Sequence, residues 1–251
     1  MGVAGRASLK TAQQGRVVIM TIDRPEVRNA LDPPTLIALA DGVDDATSDA
    51  GVGAVVLTGA GGQCFSSGMD LKAVRSSPEE AGQAVKRFHS SMHPYQRLPV
   101  VAAVRGMAIG GGFEIMLMCD LAVASDDAVF GLPEVTRGLV PGGGATLLPA
   151  RIPLAVALEL ALTGESIDAH EARRLGLVNR LAEPDHTVQE AIALASIVAD
   201  QPPATVTRIN RLMWTTALEG PAASLSAAET LPRTPELQRE AAEGIARFLA
   251  R

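Results

Sequence analysis

The stretch from Gly106 to Gly144 constrains this chain more than any other. It reads Gly106-Met-Ala-Ile-Gly-Gly-Gly-Phe-Glu114-Ile-Met-Leu-Met-Cys-Asp120, then Phe130-Gly-Leu-Pro-Glu134, then Pro141-Gly-Gly-Gly144. Apolar runs punctuated by glycine pack deeply and turn tightly, because the side chains seek the interior and the glycines free the backbone. Yet this segment holds two glutamates, 20 residues apart. A carboxylate among apolar side chains is costly to ionise and needs a partner or a purpose. A glycine triplet just before a short apolar helix aims bare backbone N–H groups at whatever approaches. Such a helix start suits a developing negative charge, and a pair of carboxylates suits proton transfer.

The chain has 251 residues, 47% of them hydrophobic. That supports a substantial core, in one domain or in one domain with an appendage. A formal net charge of −6 and only 3% aromatics argue against phosphate-backbone binding and base stacking, so no nucleic-acid partner is expected. The two cysteines, Cys64 and Cys119, form no CxxC and no His/Cys cluster. Neither a disulfide scaffold nor a metal site is expected, and a reducing cytoplasm fits. Met1 to Gln14 lack the basic-then-apolar order of a signal peptide. No apolar run approaches ~18 residues, so no membrane span is expected.

Arg16 to Asp23 reads as a first strand, ended by Arg24-Pro25. Asp32-Pro33 supplies a cap and a first-turn proline for a helix reaching Ala46. Val52 to Thr58 is a short apolar strand closed by Gly59-Ala-Gly-Gly62. Ser77-Pro-Glu-Glu80 reads as a capping box opening a helix to about Arg97. Val100 to Val104 is a buried strand, a helix starts within Gly110–Gly112 and runs to Met118, and Leu121 to Ala124 is another strand. Helices are expected over 153–162, 168–175, 187–199, 203–218 and 236–250, with Asp168-Ala-His-Glu171 as a second capping box. The fold class is therefore α/β, with a core over 1–200 and a helical region over 201–251.

Three familiar motifs fail. Cys64-Phe-Ser-Ser-Gly68 has Cys where a GxSxG elbow needs glycine. Gly59-Ala-Gly-Gly-Gln-Cys64 has Cys at a required glycine of the dinucleotide fingerprint, and no GxxxxGK[ST] exists. His89, His93, His170 and His186 lie on helices or their edges without ligand spacing and read as structural or solvated. Phe65-Ser-Ser-Gly-Met-Asp70 has two readings. It is an ordinary strand-to-helix connection, or a sharp bend at Gly68 that leaves the Met69 N–H facing a pocket, with Asp70 capping the backbone beyond it. Glu114 likewise reads either as a buried glutamate paired with an arginine or, with Glu134, as one of two acid/base groups.

Taken together, these segments resemble the crotonase (enoyl-CoA hydratase/isomerase) superfamily. The resemblance rests on Asp23-Arg-Pro25, Arg28-Asn-Ala-Leu31, Val55-Val-Leu-Thr-Gly59, Phe65-Ser-Ser-Gly-Met-Asp70 and Pro99-Val-Val-Ala-Ala-Val-Arg-Gly106. It continues through Gly110-Gly-Gly-Phe-Glu114, Phe130-Gly-Leu-Pro-Glu134, Leu162-Thr-Gly164 and Glu171-Ala-Arg-Arg-Leu-Gly-Leu-Val178. It implies a spiral of ββα repeats with a helical C-terminal trimerisation region, and hence a homotrimer or a dimer of trimers. It implies an acyl-CoA thioester substrate, with coenzyme A entering as part of the substrate and no separate cofactor. The oxyanion hole carries over to the backbone N–H groups of Met69 and Gly111, and the paired hydratase glutamates to Glu114 and Glu134. Arg28, Ser67, Gly68, Asp70, Leu71 and Lys72 carry over as substrate or CoA contacts. Having both glutamates favours a hydratase acting on 2-enoyl-CoA. An isomerase or another lyase or hydrolase of the superfamily, and an idle acyl-CoA binding protein, are the competing expectations. Met69 stands where a small alanine is common, which narrows the pocket.

Overall fold

The apolar runs at Val55 and Val100 show no polar alternation because both of their faces are covered, as parallel strands between layers require. In the computed structural model, which describes residues 8–230 and 234–250, the strands are β1 Leu9–Gln14, β2 Val17–Ile22, β3 Ala54–Gly59, β4 Cys64–Ser66, β5 Val100–Val104, β6 Met107–Ile109, β7 Leu121–Ser125, β8 Val129–Gly131, β9 Ser166–Asp168 and β10 Arg180–Ala182. The helices are α1 Pro33–Ser48, α2 Leu71–Ser76, α3 Pro78–Ser91, α4 Gly111–Met118, α5 Leu148–Arg151, α6 Leu154–Thr163, α7 Ala169–Arg174, α8 Thr187–Ala199, α9 Pro203–Glu219, α10 Pro221–Thr230 and α11 Pro235–Leu249. Val55 and Leu57 of β3, with Val100 and Ala102 of β5, join a core that contains Leu36, Leu39, Phe88 and Phe113. The residues between them, Ala54, Val56, Val101 and Ala103, share a second core with Ala191, Ile192, Ala195 and Ala199 of α8.

Six strands form one sheet in the order β1-β2-β3-β5-β7-β10, parallel except for the β1/β2 hairpin. Four short strands form a second sheet, β4-β6-β8-β9, in which the first three are parallel and β9 is antiparallel. The chain steps from the large sheet to the small one at β3–β4, again at β5–β6 and again at β7–β8, with helical segments after each step. That path is the expected spiral of ββα turns.

Several expectations need correction. Arg16 to Asp23 contains the second strand, not the first, because Leu9–Gln14 pairs with it, Leu9 opposite Ile22 and Gln14 opposite Val17. Most of that edge strand is exposed, so no apolar pattern announces it. α3 ends at Ser91 rather than near Arg97. Pro94 disfavours helical backbone at the residue before it and so stops an extension. Ser77 gives α3 no side-chain cap, and its N–H instead closes α2 on Ala73 O. α10 was not expected as a separate helix, since its small residues carry no amphipathic stripe. The Asp32 cap forms as read, accepting from Thr35 N–H; of the expected box at 168–171 only one half forms, Asp168 accepting from Glu171 N–H while the Glu171 carboxylate turns to Arg174.

Two arginines hold the far end of α4. Arg97, with a side chain 1% exposed, pairs with Asp120 and donates to Met118 O at 2.7 Å. Arg151 donates to Leu117 O and Cys119 O, both at 3.1 Å, and its guanidinium lies 5.4 Å from the Trp214 ring centre. Helix carbonyls at a C-terminus lack partners of their own, so these contacts fix where α4 ends. On α11, Glu240 accepts from Ala204 N–H, Thr205 N–H and the Thr205 hydroxyl, which ties it to the first turn of α9.

Candidate active site

Three parallel strands of the small sheet end side by side, and the site grows from those ends. β4 leads into Ser67-Gly-Met69, β6 into Gly110, and β8 into Leu132-Pro-Glu134. Carboxyl ends of parallel strands are where loops from neighbouring units converge.

The first loop turns at Gly68, whose φ is +88°. A β-carbon there would lie 2.8 Å from both Gly111 N and Ile109 O, so only glycine lets the two loops meet. A short parallel bridge fixes the turn: Leu31 N–H donates to Gly68 O, and Asp70 N–H donates to Leu31 O. Asp70 then caps α2 through Lys72 N–H and Ala73 N–H. Arg24 ties this corner together, 3.0 Å from Asp32, 3.5 Å from Asp70, and donating to Ala30 O. Asn29, fully buried at φ +53°, donates to Ala60 O and Cys64 O from its side chain.

α4 begins beside this loop. Gly110 adopts φ +55°, and its N–H is bound by Gly131 O of the next strand. The Gly111 N–H, at the first helical position, lies next to Met69; a β-carbon on Gly111 would sit 3.3 Å from Met69 N. Neither the Met69 N–H nor the Gly111 N–H has an acceptor among the described residues. Two bare donors thus stand together at a helix start.

Glu114 follows within the first turn of α4, and Glu134 opens a 3₁₀ turn over Pro133–Arg137. Both line one cavity of about 530 Å³, together with Leu31, Met69, Val85, Ile115 and Leu139. No arginine among the described residues pairs with Glu114; its Oε1 accepts from Ala145 N–H at 2.9 Å. Burial raises the Glu114 carboxyl above the ordinary value, the Ala145 and Gly142 N–H groups pull it down, and the Glu134 charge pushes it up, with a net rise. Glu134 is also raised, by burial, against the lowering pull of its own backbone N–H and Arg137. Its Oε2 is hidden from solvent and meets no donor among the described residues. The thiols have no such role: burial lifts Cys64 to about 11 and Cys119 to about 12, so both stay protonated.

The structure therefore gathers Met69, Gly111, Glu114, Glu134, Ser67, Gly68 and Leu71 at the cavity. Arg28, Asp70 and Lys72 stand outside its lining: Arg28 and Lys72 are exposed, and the Asp70 carboxylate is spent on the α2 cap and Arg24. His93, His170 and His186 are exposed, and His89, half-buried, lines the cavity. Sequence reasoning also passed over Arg24 and Asn29. The Asp23-Arg-Pro25 and Arg28-Asn-Ala-Leu31 segments were the available signal, but nothing local shows what their side chains reach.

Fold and cavity together define a protein of the crotonase class. The family model described as enoyl-CoA hydratase/isomerase matches residues 12–251. A probable enoyl-CoA hydratase of Rhizobium meliloti (strain 1021) is 35% identical over 250 residues, covering 97% of this chain and 95% of that one. The short-chain-enoyl-CoA hydratase of Clostridium acetobutylicum is 36% identical over 200 residues, covering 77% of this chain and 76% of that one. The crystal structure of an enoyl-CoA hydratase from Mycobacterium tuberculosis H37Rv matches with a TM-score of 0.84 at 38% identity, over 97% of both chains. The chain belongs to the enoyl-CoA hydratase/isomerase family.

Proposed function

We propose that the protein is an enoyl-CoA hydratase, adding water reversibly and syn across C2–C3 of a 2-enoyl-CoA thioester to give a 3-hydroxyacyl-CoA. The observation that carries this reading is the pair of part-buried carboxylates, both raised by burial, on one cavity with two bare N–H donors. The thioester oxygen takes the Met69 and Gly111 N–H groups, which draws electrons out of the C=C bond toward an enolate. Water lies between Glu114 and Glu134. Glu114 accepts a proton as the water oxygen bonds to C3, and Glu134 delivers a proton to C2. In dehydration the two exchange roles. Burial suits both tasks, because a carboxyl with a raised pKa carries a proton closer to neutral pH than a solvated one.

Arg28 and Lys72, both exposed, are assigned in this reading to the phosphates of CoA. No separate cofactor enters the chemistry. The enzyme is read as a homotrimer or a dimer of trimers, supported by the exposed Ile245, Phe248 and Leu249 on α11 and by Ile209 and Met213 on α9. A cytoplasmic setting is supported by two free, buried cysteines. No helix among the described residues is long and apolar enough to cross a membrane.

The test is hydration of crotonyl-CoA, followed as loss of the conjugated enoyl-thioester absorbance, in the wild type and in Glu114→Gln and Glu134→Gln. Turnover that collapses in both variants supports the reading. Acyl-CoA binding without turnover of any 2-enoyl chain would overturn it.

A further inference from the structure

Three glycines each leave room for one polar side chain of the cavity. A β-carbon on Gly110 would lie 2.9 Å from Glu134 Oε1, and one on Gly142 would lie 3.3 Å from Glu114 Oε2. The third case is unassigned: a β-carbon on Gly143 would lie 2.6 Å from His89 Cε1 and 3.0 Å from its Nδ1. The backbone is thus opened for an imidazole as it is for the two carboxylates.

His89 sits on the cavity face of α3, after Pro78, Ala81, Val85 and Phe88. It is the polar side chain of an otherwise apolar wall. It is half-buried and has no hydrogen-bond partner among the described residues. Burial lowers its pKa below the usual imidazole value, so it is neutral at neutral pH, with one nitrogen donating and the other accepting. Gly142 and Gly143 are consecutive, with α-carbons about 3.8 Å apart. The imidazole and Glu114 line the same cavity. A plain hydrocarbon tail packed there would desolvate both nitrogens and satisfy neither.

We propose that His89 is a specificity-determining residue that hydrogen-bonds an oxygen substituent on the acyl chain. The substrate class is then a 2-enoyl-CoA whose tail carries a hydroxyl or carbonyl group. This rests on the hydratase reading of the same site.

Calorimetric titration of the full-length protein with pentanoyl-CoA, 5-hydroxypentanoyl-CoA and glutaryl-CoA tests it without turnover. The wild type binds the hydroxylated thioester about tenfold or more tighter than pentanoyl-CoA. His89→Leu abolishes that ratio, and His89→Asn, which keeps a donor and an acceptor, restores part of it. Equal affinities in the wild type, or a preference that survives in His89→Leu, overturn the proposal. So does loss of all thioester binding in both variants, which makes His89 a packing residue. A preference for glutaryl-CoA alone that survives in His89→Leu assigns the reading to a cation such as Arg137 and also overturns it. Failure of the hydratase reading is distinguishable: it shows as absent turnover in the wild type, whatever the binding ratio.

Discussion

Trp214 Nε1 donates a 2.7 Å hydrogen bond to Asp120 Oδ1. The other oxygen of that carboxylate accepts from Val100 N–H at 2.7 Å and pairs with buried Arg97. One aspartate, directly before β7, thus joins α9 to the start of β5. Asp120→Ala strands a guanidinium with no counter-charge, and we expect a loss of about 3–5 kcal/mol of stability. Trp214→Phe removes one donor while the other partners remain, at about 1–2 kcal/mol. Urea unfolding of both variants checks the order; a larger loss in Trp214→Phe would contradict it.

Glu114→Gln and Glu134→Gln should each lower kcat by ~10²–10⁴ while leaving the fold intact. In the proposed mechanism the two groups serve one water, so their effects should not add. The double variant is expected to be about as slow as the worse single one. Full additivity in steady-state rates would mean that the carboxylates act in separate steps.

The pH response is set by the direction of the shifts. Both carboxyls are raised in the folded chain, mainly by burial. Between the ordinary carboxylate value and the raised ones, the folded chain binds more protons than the unfolded chain, so these groups make stability fall as pH rises through that window. Glu114→Gln cannot ionise. Its melting temperature should exceed that of the wild type near pH 8, and the gap should narrow toward pH 5. In the wild type, the acidic limb of kcat/KM should lie above the range of solvated carboxylates.

Gly68→Ala forces a β-carbon to within 2.8 Å of Gly111 N and Ile109 O, at a φ of +88° that alanine resists. If Met69 and Gly111 form the oxyanion hole as proposed, displacing one donor costs ~10²–10³ in kcat, and we expect that loss here. Met69→Ala keeps the backbone N–H and widens the cavity. It should leave kcat on crotonyl-CoA near the wild-type value and improve kcat/KM for bulkier acyl chains, as a chain-length series would show.

Much of the framework is legible from local chemistry. Asp32-Pro33 and Asp168 announce their helices because a cap acts within three residues. The start of α4 is equally plain, since three glycines precede an apolar run. The features that escape notice depend on partners distant in the chain. β1 exists because β2 offers an edge, and apart from Leu9 and Ala12 its own residues are polar. His89 reads as one more helical histidine until α3 packs against Gly143. Arg24 gains meaning only when Asp32 and Asp70 arrive beside it.

The arrangement at the far end of α4 has an electrical consequence. An eight-residue helix is about 12 Å long, and its peptide dipoles leave a positive pole at Gly111 and a negative pole near Met118. Arg97 and Arg151 cover that negative pole, and Asp120 offsets the charge of only one guanidinium. The positive pole facing the cavity is therefore weakly opposed. Side chains about two turns from the Gly111 N–H thus strengthen the field that the proposed mechanism applies to the thioester oxygen.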